Sequence, residues 1–347
     1  MRILPKILKK TFTPVIISVL AVSICSMLPQ TASAQNEGLG EHMQVKKKVT
    51  RAKLLKELSF LCDSICQGRA FATSGGAEAA FWIQREFERI GLTKLGESYG
   101  KRVNLGPEQI GRNIVAMLPS SKDTSSDRYV IVGAHYDHLG ELGDRMYPGA
   151  DANASGTVAL INIAEMLKTR ADKGIIHGQN IIFVAFDGKE RDLAGSKALW
   201  EMIRKGELRN PITGRKITKD KISLMVNMDQ IGSSMSPLAS GRKDYLIMLG
   251  NNSLRPEKQN TLKTCNRKYA IDMDLAFNYY DSPDFTRIFY RLSDQRIFID
   301  NHIPAVLFTS GITMNTNKTW DSPETIDLEI FKRRIFLIYH WIEMYVQ

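Results

Sequence analysis

The chain has 347 residues, 43% of them hydrophobic, with 47 lysines and arginines against 37 aspartates and glutamates, a formal charge of +10. That composition supplies a full-sized core and excludes a disordered or acidic solvating chain. The basic excess is scattered in short clusters, at Lys46 to Lys48, Arg215 to Lys216 and Lys332 to Arg334, so no nucleic-acid partner is expected.

The first segment reads as a leader. Arg2, Lys6, Lys9 and Lys10 precede an apolar run from Phe12 to Leu28, and Ala32-Ser33-Ala34 has the small-x-small form that a signal peptidase cuts after. The run is short for a membrane span and is interrupted by Pro14, which favours a secretion signal over an anchor. Its removal takes four basic and no acidic residues, so the charge falls from +10 to +6. The expectation is a signal at 1–34 and a single domain at 35–347, periplasmic or secreted, with no stable membrane span after cleavage. Cys62, Cys66 and Cys265 then remain, and they make no disulfide framework.

Apolar residues at spacings of three and four predict a helix from about Val49 to Gln67, with Cys62 and Cys66 on one face. Gly75 and Gly76 predict a break, and a second helix follows from Glu78 to Ile90 with Gly91 as its C-cap. Strands are then expected at Asn113 to Leu118, Tyr129 to Ala134, Asn180 to Phe186, Ile222 to Met228, Tyr245 to Leu249 and Ala305 to Thr309. Helices are expected at Ser155 to Leu167, Leu193 to Ile203, Phe285 to Leu292 and Ile326 to Tyr345. Strands spaced by helices predict an α/β fold, a three-layer αβα sandwich around a mixed, mostly parallel sheet. No glycine-rich phosphate loop follows any strand, which argues against a nucleotide site.

In such a sheet ligands sit outside the carboxyl ends of the strands. Three polar groups fall there: His135 to His138, Asp187 to Glu190, and Asp229. Imidazole and carboxylates from neighbouring strands would supply the nitrogen and oxygen ligands that zinc accepts. A lone acid at a strand end equally serves as the N-cap of the next helix.

The stretches Gly133 to Gly140, Gly149 to Gly156 and Phe186 to Glu190, at matching intervals, resemble the M28 family of zinc aminopeptidases. Leu193 to Ser196, Asn227 to Asp229, Ile303 to Val306 and Ser322 to Thr325 extend the resemblance over the chain after the leader. Phe186-Asp187-Gly188 also resembles glutaminyl cyclases, which share that fold. The resemblance implies the zinc-exopeptidase (phosphorylase/hydrolase-like) architecture and a two-zinc site. On that template His135 and Asp229 ligate the first ion, and Asp137 is the carboxylate that orients His135. Glu190 ligates the second ion, and Asp321 stands where the family's last histidine ligand belongs.

Two positions depart from the template. The bridging aspartate is Ala152, whose methyl cannot hold a metal, and the general base is Lys189, a cation with no acceptor. The resemblance therefore implies a catalytically impaired or inactive relative, holding no zinc or one ion rather than two. Its cleft is expected to bind a peptide or peptide-like ligand by the amino terminus. Lys189 is expected to replace part of a missing metal's charge by pairing with Glu190 or Asp321, and Trp320 is a candidate floor for a specificity pocket. An active hydrolase with a single-metal site on His135 and Asp229 is the alternative, and a purely structural module the third reading.

Overall fold

The computed structural model describes residues 47–123, 126–175, 177–235, 238 and 240–347, so the expected leader lies outside the described residues. Helix α1 (Arg51–Cys62) starts where the Thr50 hydroxyl accepts from the Lys53 amide, and it buries Leu54, Leu58 and Leu61. It ends earlier than its periodicity predicts. Asp63 accepts from the Ile65 amide at 2.9 Å and opens a separate 3₁₀ turn at Ser64–Arg69, so Cys62 and Cys66 do not share a helix face. All three described cysteines are buried free thiols.

Helix α2 (Ser74–Ile90) begins before the predicted break, capped by Thr73. Gly75 and Gly76 sit inside its first turn because the preceding chain lies against them. A Cβ at Gly75 would stand 2.2 Å from the Cys66 carbonyl oxygen, and one at Gly76 2.4 Å from that of Ala70. These glycines mark a close approach and not a break.

The strands are β1 (Thr93–Lys94), β2 (Gly100–Gly106), β3 (Gln109–Leu118), β4 (Tyr129–His135), β5 (Gly140–Leu142), β6 (Arg145–Tyr147), β7 (Asn180–Phe186), β8 (Ile222–Met228), β9 (Tyr245–Leu249), β10 (Asp274–Ala276) and β11 (Ala305–Thr309). The main sheet runs β1-β3-β7-β4-β8-β11-β9-β10, with β2 paired to β3, while β5 and β6 form a separate hairpin. Its centre, β7-β4-β8-β11, is parallel throughout. The margins supply the mixture: β3 is antiparallel to β7, and β9 is antiparallel to β11. Strands β4 and β7 are buried at every residue, which is why they read as continuous apolar runs rather than alternating ones.

Helices α3 (Ser155–Asp172), α4 (Ala194–Lys205), α5 (Thr261–Lys268), α6 (Pro283–Phe289), α7 (Gln295–Asp300) and α8 (Leu328–Val346) complete the chain. Leu199 and Ile203 of α4, with Ile297 and Phe298 of α7, pack on Val115, Ile131, Ile182, Val184 and Met225. On the other face α2 and α3 lie against the strands, and α8 packs on α3, α5 and α1. The result is a three-layer αβα sandwich. Val49–Gln347 forms one compact unit.

Candidate functional site

Strands β7, β4 and β8 are adjacent and parallel, with His135 in register with Phe186. Their carboxyl ends therefore present Asp187 to Glu190, His135 to Asp137, and Asp229 in one row. His135, Asp137 and Asp229 are all buried, and His135 is held from both sides. Its Nε2 lies 3.3 Å from Asp229 Oδ1, and its Nδ1 lies 3.1 Å from the Asp137 carbonyl oxygen and 3.5 Å from the Asp137 carboxylate. Asp137 does more than orient this ring. Its two carboxylate oxygens accept the backbone amides of Lys189 at 2.9 Å and Glu190 at 3.0 Å, fixing both residues over the strand end.

The Lys189 ammonium turns into this carboxylate cluster and donates to Glu190 Oε1 at 2.8 Å. Burial works against its charge, but Asp229 and Glu190 outweigh burial and hold it protonated beyond the ordinary lysine range. Burial likewise opposes the His135 imidazolium, yet Asp229 and Asp137 lift its pKa to about 10. Burial would raise Asp229, but His135 and Lys189 hold it below the usual carboxylate range. The centre is thus an interleaved set of two cations and three carboxylates.

The turn at Ala150–Ala154 borders the same cleft, which Ala152 lines with Lys189 and Asp229. Gly149 leads into it with φ of 58°, against the His138 ring, where a Cβ would come within 2.4 Å of a ring carbon. Ala152 presents a methyl to the cleft. Asp151, the neighbouring acid, turns away: its Oδ1 accepts from the amides of Gly232 at 2.8 Å and Ser233 at 3.2 Å. Asp321 lies behind the same turn, where Oδ1 accepts from the Asp151 amide at 2.9 Å and Oδ2 from the Ala152 amide at 3.1 Å. Burial, with the Asp151 charge beside it, lifts the Asp321 carboxyl to about 6.

The structure therefore gathers His135, Asp137, Lys189, Glu190 and Asp229, and commits Asp321 to backbone amides. Lys189 pairs with Glu190 and not with Asp321. Among the described residues no three histidine, cysteine, aspartate or glutamate side chains converge into a metal-holding group. The reason is local: Glu190 is engaged by the Lys189 ammonium, Asp321 by two amides, and position 152 offers no donor.

A cavity of ≈110 Å³ opens onto this cluster, smaller than the ~150 Å³ that takes a benzene ring. Lys189, Asp229 and Ala152 line it, together with the apolar side chains of Tyr279, Phe289, Leu307 and Ile312. Tyr280 does not line it and bonds instead to the Tyr245 hydroxyl at 2.9 Å. Trp320 is 59% exposed and outside the cavity lining, so it does not floor the pocket.

Four residues that hold the site escape a sequence reading. Asn153 accepts from the amides of Gly156 and Gln230, and donates to the carbonyls of Met228 at 2.9 Å and His135 at 3.3 Å. Arg69, fully buried, donates to four carbonyls, those of Tyr136 at 2.7 Å, Leu61 at 2.5 Å, Pro148 at 2.6 Å and Gly149 at 2.8 Å. Arg334, also buried, donates to the carbonyls of Tyr245, Ile231 and Ser233, so it fixes the loop whose amides hold Asp151. Asp294 is fully buried beside the cluster, and neither carboxylate oxygen has a hydrogen-bond partner among the described residues. Of these only Asn153 lies inside a stretch that the family resemblance marks.

The family model of peptidase family M28 matches residues 113–340. The chain is 27% identical over 209 residues to a probable leucine aminopeptidase of Arthroderma otae, covering 59% of this chain and 50% of that one. It is 24% identical over 196 residues to the uncharacterized protein YfbL of Escherichia coli, covering 52% and 54%. The chain spans about half the length of these curated relatives. Among solved structures, the LapA aminopeptidase of Legionella pneumophila superposes with a TM-score of 0.64 at 17% identity, covering 89% of this chain and 75% of that one. The glutaminyl cyclase of Porphyromonas gingivalis gives 0.59 at 16% identity, covering 86% and 99%. At these identities the structural likeness establishes the fold.

Proposed function

The chain belongs to peptidase family M28, and from that premise we propose that it is a secreted relative with impaired or absent peptidase activity. Its cleft holds the amino terminus of a peptide. The observation that carries this reading is the Lys189 ammonium, bonded to Glu190 at 2.8 Å at the place of the family's general base. An ammonium kept charged by Asp229 and Glu190 has no lone pair with which to take a proton from water. Loss of a positioned base alone costs roughly 10²–10⁴ in rate.

A two-zinc set does not fit these residues. Position 152 has no carboxylate to span two ions, Glu190 is engaged by Lys189, and Asp321 serves the amides of the 151–152 turn. Lys189 and His135 supply the positive charge instead. Against them stand Asp137, Glu190 and Asp229, with Asp294 buried beside them, which leaves the cluster with an excess of negative charge. That excess favours a ligand ammonium, and Tyr279, Phe289 and Ile312 offer apolar contact to the side chain beside it. The retained His135–Asp229 pair favours a second reading, an active hydrolase with a single metal.

Zinc content after loading and buffer exchange, measured with hydrolysis and binding of leucine amide, tests the proposal. The native chain is expected to bind leucine amide without hydrolysing it and to retain at most one ion. An Ala152→Asp/Lys189→Glu variant is expected to gain zinc. Two ions in the native chain together with hydrolysis would overturn the reading, while one ion with hydrolysis would establish the single-metal enzyme. Secretion rests on the leader, and the exported protein is expected to begin at Gln35.

A further inference from the structure

Fourteen large hydrophobic side chains are exposed among the described residues, and six of them lie in two short segments: Phe285, Ile288, Leu292, Ile312, Met314 and Trp320. Both segments wall the cleft. Such a concentration marks an interaction surface, whereas single exposed apolar residues do not.

The first wall is α6 and the turn that continues it. Phe285, Ile288, Phe289 and Leu292 fall at helical spacings of three, four and seven, one apolar stripe. Its inner end closes on the cavity: Phe289 stacks on Tyr279 with centroids 3.8 Å apart, and Phe289 and Leu292 both line the pocket. Its outer end is open, with Phe285 57% and Ile288 50% exposed. The helix buries none of its seven residues. The second wall is the loop after Gly311. The Ile312 amide donates to the Tyr279 hydroxyl at 3.0 Å, which ties the two walls together, and Met314 stands on the loop's crest. The charged residues of the first wall are already matched: Arg287 pairs with Asp284, and Arg291 with Asp300. The stripe on the first wall therefore carries no cluster of unmatched cations of the kind that an anionic membrane surface attracts.

We propose that this stripe and the Ile312–Met314 crest form a second recognition surface, which takes the apolar side chains that follow the first residue of a bound peptide. The inference rests on the cleft holding a peptide's amino terminus. Continuity supports that occupant, because the stripe starts inside the cavity and leads outward from it. Seven helical residues span ~10 Å at ~1.5 Å each, the length of about three residues of extended peptide at ~3.3 Å each. The ligands favoured are therefore peptides with an apolar amino-terminal stretch.

Calorimetric titration with three probes tests this: leucine amide, a Leu-Phe-Leu amide and a Leu-Ser-Ser amide. The native chain is expected to bind the apolar tripeptide about tenfold tighter than the polar one. Phe285→Ser with Ile288→Ser, both at exposed positions, is expected to erase that preference while leaving leucine amide affinity unchanged. Equal binding of the two tripeptides by a chain that binds leucine amide would overturn this inference alone. Failure of all three probes to bind would overturn the cleft reading with it. A dimer that Phe285→Ser turns into a monomer would assign the stripe to self-association and overturn the proposal.

Discussion

Replacing Lys189 by methionine keeps most of the length of the side chain and removes its ammonium, charge and donors together. Three things change in the structure. The 2.8 Å bond to Glu190 Oε1 is lost, Asp229 keeps His135 as its sole described counter-ion, and three carboxylates face one cation. The side chains of Lys189 and Glu190 are 20% and 26% exposed, so the pair lies between two known limits. Exposed pairs contribute ~0.2–1 kcal/mol, and removing one partner of a fully buried pair costs ~3–5 kcal/mol. Glu190 can rehydrate at the cleft mouth while the buried Asp229 cannot, which places the expected loss at about 2 kcal/mol at pH 7. In urea that loss is read as a lower midpoint at an unchanged slope.

The pH dependence fixes the cause. The folded pKa of Lys189 is raised, so its stabilisation is complete below the ordinary lysine range and lost only as pH rises beyond it. In Lys189→Met the crowded carboxylates take up protons as pH falls, and the deficit at pH 5 is expected to be smaller than at pH 7. A variant as stable as the parent at pH 7, or one whose deficit grows on acidification, would refute the claim that Lys189 compensates this cluster.

Two further substitutions probe the supports. Arg69→Met takes a donor from four buried carbonyls, of which that of Gly149 keeps the Ala154 amide, and a loss of about 4 kcal/mol is expected from denaturant titration, at the upper end for a single change. Asp294→Asn is expected to stabilise. Burial raises its carboxyl against the opposing pull of His135, to about 6. A raised carboxyl gives stability that is complete below its unfolded value and lost as pH rises through about 6. The asparagine variant should therefore gain on the parent by about 1–2 kcal/mol at pH 8 and lose that advantage near pH 4. A constant difference across that range would show that the buried charge is not the cause.

The central strands were legible because burial on both faces leaves no room for polar residues: Tyr129 to Ala134 and Asn180 to Phe186 announce themselves by composition. The margins were not. Strand β2 has one buried residue in seven, and β5 and β6 are three residues each, too short for an alternation to show. Gly75 and Gly76 misled because a glycine that admits a neighbouring backbone looks, in sequence, like one that ends a helix. In the site, the convergence of His135, Glu190 and Asp229 at neighbouring strand ends was legible. Asp321 shows the limit: a carboxylate at a ligand's place in the chain can spend both oxygens on amides. Arg69 and Arg334 carried no signal, since their partners are carbonyls drawn from distant segments.

The turn from Gly149 to Asn153 has a consequence for how such a chain changes over time. It is held by the Arg69 guanidinium, by the Asp321 carboxylate and by the Asn153 amide, and none of these bonds involves the side chain of Ala152. Shape and reactivity are inherited through different residues at this spot. A lineage can exchange the group at 152 with little effect on folding, so one and the same turn can border clefts of different chemistry.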